Sequence, residues 1–349
     1  MNTHDETGFL PPVLLSTPFA HAPAGDPVGN RSAKAVIDGA VDLCDSLLTC
    51  DQGRPPTVTV RQGGTVRWAA DTLTARWHAE WRRRHAGERS GPKVAVHRLR
   101  TGGPGRAEIE TAHTDWGQVQ AAQAGFLASH GDAHGRTSFL SALLDGARAP
   151  VPNIAAVHGV VETEDGMILL NRRSHLVKYH PLTWSCSFEE GMEPADVAGA
   201  DSHTFERAAA RGIAEEFGLD VGTDGLTVLG LLGDTGAMSV AAVVHCRIPV
   251  PGKRLCTQAT AVQAADAWEH VGCALLPLSP EALAGALLGS ARPEGDVSPK
   301  PSGTGQGHGP VSWHPTSRYR LLLTMLFRFG RARTAAALAG AAVLQQGAS

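Results

Sequence analysis

Three side chains on one short stretch carry the chain's most pointed chemistry. Residues 204–217 read Thr-Phe-Glu-Arg-Ala-Ala-Ala-Arg-Gly-Ile-Ala-Glu-Glu-Phe. Phe205, Ala209, Ile213 and Phe217 recur at every fourth position, which predicts an amphipathic helix burying those four. Arg211 and Glu215 share another face and can pair. Glu216 lies about 100° further round the axis. Adjacent carboxylates at a helix end are costly unless something positive sits between them. Taken alone, the helix reads first as one with a solvated acidic end. The other reading is a divalent cation on Glu215 and Glu216, because carboxylate oxygens suit Mg²⁺ or Mn²⁺, which in turn bind phosphates. Both carboxylates are expected off the buried stripe. Glu189 and Glu190, in Ser-Phe-Glu-Glu-Gly, and Glu269, in Ala-Trp-Glu-His, are further acidic candidates. Solvated strand ends would account for those three equally well.

The elements that must position these groups follow from pattern. Ile154–Glu162 and Met167–Arg172 are apolar runs joined through Asp165-Gly166, a strong hairpin signal. Thr183–Phe188 reads as a third strand, and Gly191–Ala200 as a loop. Ser202 and Gly218 are the expected caps of the 204–217 helix. Leu226–Leu232 and Ser239–Ile248 form a second hairpin pair. Trp268–Leu276 is an expected strand, Pro280–Leu288 a helix and Thr316–Phe329 a closing helix. Upstream, Thr57–Val60 and Thr65–Trp68 read as strands around Gln62-Gly63-Gly64. A helix is expected over Thr72–His85 with Trp77 and Trp81 on one face, and a strand over Lys93–Leu99. Thr114–Phe126 has no clear pattern. Ser32–Leu48 has helical spacing, as does Ser138–Leu144.

With this context, Arg211-Gly-Ile-Ala-Glu-Glu-Phe-Gly-Leu219 resembles the second half of the Nudix box, Arg-Glu-U-x-Glu-Glu-x-Gly-U, where U is aliphatic. The hairpin ending Leu169-Leu-Asn-Arg-Arg173 is similar to the strand pair before that box. The resemblance covers roughly residues 154–288. It implies a divergent Nudix hydrolase, with Glu215 and Glu216 as metal ligands and Arg211 orienting them. Two acidic positions of the box are vacant. The first box Glu falls on His203, and the Glu that follows the Arg, often assigned as general base, is Gly212. Gly191 stands further from Arg211 than the family's box Gly does from its Arg, so a short insertion intervenes. Glu189 or Glu190 is expected to fill one acidic role and Glu269 the other, as extra ligand or base. Arg172, Arg173, Trp184 and Glu190 are the expected substrate contacts, with Tyr179 beside the pocket. Arg67-Trp68, Trp77, Trp81 and Thr114-Asp-Trp116 loosely resemble the amino-terminal domain of a branch that hydrolyses UDP-sugars.

The resemblance implies an α/β chain. A Nudix-like α/β/α sandwich with a mixed sheet is expected over 152–330, containing a flexible linker at 290–310. A small α+β domain at 56–151 precedes it. Residues 1–55 are expected to be loose with one helix, and 331–349 form an Ala-rich tail. The implied function is Mg²⁺-dependent hydrolysis of a nucleoside diphosphate linked to another moiety, an NDP-sugar among the candidates. The alternative is a Nudix fold without hydrolysis that senses a ligand or binds a protein.

Composition sets bounds on this. The chain has 349 residues, with 31 Lys+Arg against 34 Asp+Glu and a net charge of −3. That charge argues against nucleic-acid binding through bulk electrostatics. The partner expected is a small nucleotide-diphosphate molecule. The six cysteines include no Cys-x-x-Cys pair, which argues against a structural zinc site. No apolar run approaches the roughly 20 residues of a spanning helix, and Asp5 and Glu6 oppose a signal peptide. A cytoplasmic protein with reduced thiols is expected, with Cys246 and Cys273 in the core. Arg82-Arg83-Arg84 reads as the wet face of a helix.

Overall fold

The computed structural model describes residues 13–15, 55–63, 72–84, 91–101, 106–129, 149, 153–199, 203–234, 237, 239–260, 266–288 and 312–346. The expected helices over Ser32–Leu48 and Ser138–Leu144, the strand Thr65–Trp68, the Ser202 cap and the 290–310 linker lie outside these residues.

Two sheets are present. Strands β1 (Val13–Leu15), β5 (Ile154–Thr163), β6 (Met167–Arg173), β9 (Leu226–Asp234), β10 (Ser239–Ile248) and β11 (His270–Pro277) run in the order β1-β9-β10-β5-β6-β11. β7 (Trp184–Cys186) pairs β6, and β8 (Phe188–Gly191) pairs β5. The sheet is mixed, because β10 is parallel to β5 and antiparallel to β9. The smaller sheet orders β2 (Thr57–Gln62), β4 (Arg106–Asp115) and β3 (Pro92–Thr101). β2 lies parallel to β4, a pairing that the expected hairpin around Gly63 did not anticipate.

Alternation along the large sheet divides its side chains between two cores. Ala155, Val157 and Val161 of β5 join Phe205, Ala209, Ile213 and Phe217 in one apolar cluster. Ile154, Ala156 and Val160 join Leu321, Leu322, Met325 and Leu326 in the other. Every residue of β5 is buried, as expected of a strand covered on both faces. Helix α4 (Thr204–Phe217) supplies the first layer, following α1 (Thr72–Arg84), α2 (Trp116–Ser129) and the one-turn α3 (Pro194–Val197). α6 (Pro280–Leu288) and α7 (Ser317–Gln346) supply the other layer, and α5 (Gly252–Thr260) precedes β11. α4 has the expected bounds and ends on Gly218, whose φ of 67° is the left-handed cap.

All four stripe residues of α4 are buried. Ile213→Asp should therefore cost roughly 3 kcal/mol, because it places an unpaired charge in a dry core. Urea unfolding of the variant measures this, and an unchanged midpoint would mean that α4 faces the other way.

Several expectations need correction. The third strand is two strands, because Ser187 takes a φ of 65° between them. The Ser187 hydroxyl accepts from the Val161 N–H at 2.8 Å and donates to the Leu169 carbonyl at 2.8 Å. It thus bridges β5 and β6, which pair with each other only at Glu162↔Ile168. Trp268 is not in a strand: residues 267–269 form a 3-10 turn and β11 begins at His270. Of Thr114–Phe126, where no pattern was legible, the first two residues end β4 and the rest belong to α2. Within α2, a Cβ at Gly125 would fall inside the Trp77 ring, so only glycine lets α1 lie this close. The Ala-rich tail is helical to Gln346, after a break at Gly330 with a φ of 73°. The thiols are not all reduced: Cys256 of α5 and Cys273 of β11 form a disulfide, with Cα atoms 5.5 Å apart. Cys186 and Cys246 are free and buried. Arg82, Arg83 and Arg84 are exposed as expected, and Glu80 pairs with the last two. No described helix is long and apolar enough to cross a membrane.

Candidate active site

β5 and β6 diverge beyond their single pair, and β8 lies along β5. A cavity of about 830 Å³ is lined from the start of β5, the end of β6, β8, the end of β9, α2 and the 266–269 turn. Seven carboxylates line it: Glu189, Glu190, Glu193, Glu215, Asp234, Asp266 and Glu269. Lys93, Arg173 and Lys178 are the cations on its wall, and Trp81, Trp116 and Trp268 the tryptophans.

Arg211 organises the α4 side. Its Nη1 lies 3.0 Å from both Glu190 Oε1 and Glu215 Oε2. Nη2 donates to Asp196 Oδ2 at 2.8 Å and to the Gly191 carbonyl at 2.9 Å. These anions outweigh the cost of burial and raise its already high pKa. The expected Arg211–Glu215 pair is thus present. Glu190 joins it because β8 alternation turns Glu190 toward α4 and Glu189 toward α7.

Glu216 is placed differently from its neighbour. Periodicity put it off the stripe, yet it is only 2% exposed and does not line the cavity. The turn before β11 closes over this side of α4, since the Asp266 N–H donates to the Glu215 carbonyl at 3.0 Å. His270 Nε2 then meets Glu216 Oε2 at 2.5 Å. Burial, with Glu190 and Glu189 adding repulsion, drives the Glu216 carboxyl well above the usual range. Burial also pulls His270 down to about 4.

The remaining acids respond to the same crowding. Burial pushes Glu190 up to about 7 against the pull of Arg211 and Lys93, and Glu215 adds to the rise. Burial and then the Glu216 charge push Glu269 up to about 8. Glu189 goes the other way. Burial raises it, but Arg173, His314 and Arg320 together hold it well below the ordinary value. Arg173 Nη1 and Arg320 Nη2 both donate to it.

Of the expected substrate contacts, Arg173 and Glu190 line the cavity, as does Tyr179. Arg172 and Trp184 do not. Arg172 is the strand neighbour of Arg173 and so points to the opposite face, and Trp184 is buried in the α7-side core. Sequence reasoning did not assign Lys93, Lys178 or Asp266 to the site. It named Trp268 only as the start of a strand, whereas Trp268 lines the cavity and is 48% exposed.

The vacancy at Gly212 has a steric cause. A Cβ there would lie 2.9 Å from Phe188 Cε2 and 3.0 Å from Glu190 Cβ. Restoring the box acid as Gly212→Glu should therefore destabilise by about 1–3 kcal/mol through overpacking and should not raise activity. Thermal melting reads the first effect, and a variant as stable as the parent would show that Phe188 moves aside freely.

A mixed sheet between helical layers, with a box-like helix whose Arg gathers acids from a neighbouring strand, settles the architecture. The fold is a Nudix-like α/β/α sandwich.

No family model matches the chain, and no curated protein matches it. Solved structures similar to it include a protein from Deinococcus radiodurans, at 16% identity, covering 42% of this chain and 75% of that one with a TM-score of 0.28. A MutT protein from Methanosarcina mazei shares 20% identity over 38% of this chain and 82% of that one, TM-score 0.27. The Nudix domain of NrtR from Shewanella oneidensis, complexed with ADP ribose, shares 17% identity over 28% of this chain and 62% of that one, TM-score 0.22.

Proposed function

We propose that this chain hydrolyses a nucleoside diphosphate linked to another moiety, such as an NDP-sugar, at the diphosphate, with Mg²⁺ or Mn²⁺. The observation that carries this reading is the set of crowded carboxylates in and behind one cavity, Glu190 and Glu215 on Arg211 and Glu216 and Glu269 against each other. Their donor atoms are all carboxylate oxygens, the set that hard divalent cations prefer. Burial first, and then repulsion between neighbours, lifts Glu190, Glu216 and Glu269, and a cation would offset both.

Glu190 and Glu215 would hold the metal from the cavity wall, with Arg211 fixing both. Glu216 would join only by leaving His270. When bound, the ion would neutralise diphosphate charge and lower the pKa of an attacking water. Lys93, Arg173 and Lys178 would attract the phosphates, and the Trp268 face offers a surface for a base or sugar. Glu269 would take the water proton. The reading is tested by incubating the protein with nucleoside diphosphate-linked compounds and Mg²⁺ or Mn²⁺. Release of nucleotide or phosphate supports it.

Two observations favour the second reading, a ligand-binding module without hydrolysis. Position 212 has no room for an acid, and the Glu216 carboxyl is already paired with His270. Thermal-shift binding of the same compounds without turnover would select that reading.

A pH dependence follows from the same acids. Glu190 and Glu269 have folded-state values of about 7 and about 8, above the ordinary 4.5. Their contribution to stability is complete below pH 4.5 and is lost as pH climbs through 7 and 8. Metal-free protein should therefore melt progressively lower across that window. Mg²⁺ should restore more at pH 8 than at pH 5, since a cation binds the ionised acids. Equal Mg²⁺ shifts at both pH values would count against a site on these carboxylates.

A further inference from the structure

Asp234 and His314 on the cavity wall, with His180 beside them, are a group that the hydrolytic reading leaves unused. His180, Asp234 and His314 meet there from distant parts of the chain. Each offers one ligand atom, and these atoms all lie within 4.8 Å of one another. Among the described residues this is the group whose geometry could hold a metal ion. We propose that His180, Asp234 and His314 form a transition-metal site, for Zn²⁺ or an ion of like preference, separate from the carboxylates around Arg211.

Each ligand is placed by its own backbone device. His180 lies in the β6–β7 loop at a φ of 48°, a left-handed conformation that few non-glycine residues adopt. The Thr183 hydroxyl donates to the His180 carbonyl at 2.7 Å and locks that turn. Strain of this kind persists where surrounding structure fixes it, often at ligand sites. Asp234 ends β9, and its Oδ1 accepts from the Ala237 N–H at 3.1 Å. That leaves Oδ2 turned to His180, 3.3 Å from Nε2. His314 arrives on a segment docked along β7. The Trp184 N–H donates to the Ser312 carbonyl and the His314 N–H to the Trp184 carbonyl, both at 2.8 Å.

The donors suit zinc in kind and spacing. Two imidazole nitrogens and one carboxylate oxygen, with a position left open, are a common zinc set. Bonds of about 2.0–2.1 Å in tetrahedral array place donors roughly 3.3 Å apart. His180 and Asp234 already stand at 3.3 Å. The His180 and His314 rings lie 4.6 Å apart between centroids, nearly perpendicular. His180 Nε2 is shut off from solvent and meets Asp234 Oδ2 at 3.3 Å without a well-directed hydrogen bond, a spacing that suits two ligands of one ion.

An outer layer orients His314. Its Nδ1 lies 2.9 Å from the Thr316 hydroxyl, which in turn lies 3.1 Å from His158 Nδ1. The Thr316 N–H at 3.3 Å and Arg320 Nη2 at 3.4 Å can only donate, so Nδ1 is the accepting nitrogen of the ring and Nε2 carries the proton that a metal would displace. Bonds at the other ring nitrogen fix the orientation of a metal-binding imidazole. Asp234, His314 and His158 all line the cavity, so an ion here would face whatever the cavity holds.

The test uses the full chain without an affinity tag, stripped of metal. Co²⁺ titration should give the visible absorption of a four-coordinate N/O site at one equivalent, and Zn²⁺ should displace it. His180→Ala removes a loop side chain, keeps the melting profile of the parent and lowers Zn²⁺ affinity by roughly 100-fold or more. Asp234→Asn tests the carboxylate in the same assay. Glu215→Gln should bind Co²⁺ as the parent does, whether or not it abolishes hydrolysis, so this site and the proposed activity fail separately. No Co²⁺ spectrum from the parent, or a His180→Ala variant that binds like the parent, overturns the site.

Discussion

Arg320→Met should lower the unfolding free energy by roughly 3–5 kcal/mol, the usual penalty for breaking a buried charge pair from one side. Arg320 is fully buried on α7. Its Nη1 donates to the Cys186 carbonyl at 2.6 Å and the Phe188 carbonyl at 3.2 Å, and Nη2 to the Ser185 hydroxyl at 3.0 Å and to Glu189. The first two carbonyls flank Ser187, where the strand breaks and turns left-handed. Without the guanidinium these acceptors are left short of donors in a dry interior, and Glu189 loses one of the two guanidinium groups that donate to it. Methionine matches the volume but brings no donor. Lysine keeps the charge but not the planar fork, so Arg320→Lys should fall between the two. Urea unfolding followed by tryptophan fluorescence gives the ordering. A methionine variant within about 1 kcal/mol of the parent would show that α7 is held by its leucines alone.

How much of this was legible beforehand depends on the range of the interaction. Phe205, Ala209, Ile213 and Phe217 announce α4 because helix burial is written at a four-residue repeat, and the bounds follow. The β5–β6 hairpin was legible from Asp165-Gly166, and Gly166 indeed takes a φ of 72°. The Ser187 break was not, because a left-handed serine has no local signature. Its reason is a hydroxyl bridging two strands from elsewhere. Glu216 shows the same limit. Helical spacing says which residues share a face, but not that the turn at Asp266 and His270 will cover a second face. The departure at Gly212 was visible as a mismatch, while its cause, the Phe188 ring, comes from β8. His180, Asp234 and His314 were unreadable as a group, since no spacing rule joins residues brought together by a loop, a strand end and a docked segment. Cys256 and Cys273 likewise showed no paired spacing and meet only because α5 lies on β11.

Glu269→Gln should cut turnover by about 10²–10⁴-fold, the range for losing a general base, with substrate binding retained. Glu269 sits in the 3-10 turn with its carbonyl accepting the Ser174 N–H at 2.7 Å, a backbone bond that glutamine leaves intact. The fold should therefore survive. Metal-free protein should even gain stability above pH 8, where the parent carries an extra buried charge beside Glu216. Burial and Glu216 hold Glu269 near 8, so in the parent the rate should rise with pH as this acid ionises. Were Glu190 and Glu215 to hold a cation, the limb would move to lower pH, because positive charge favours the carboxylate. The glutamine variant should lose the limb as well as the rate. A purely structural role would depress the rate at every pH and leave the limb in place. Retention of both rate and limb would move the proton acceptor elsewhere, and Glu190, with its value of about 7, is then the next residue to replace.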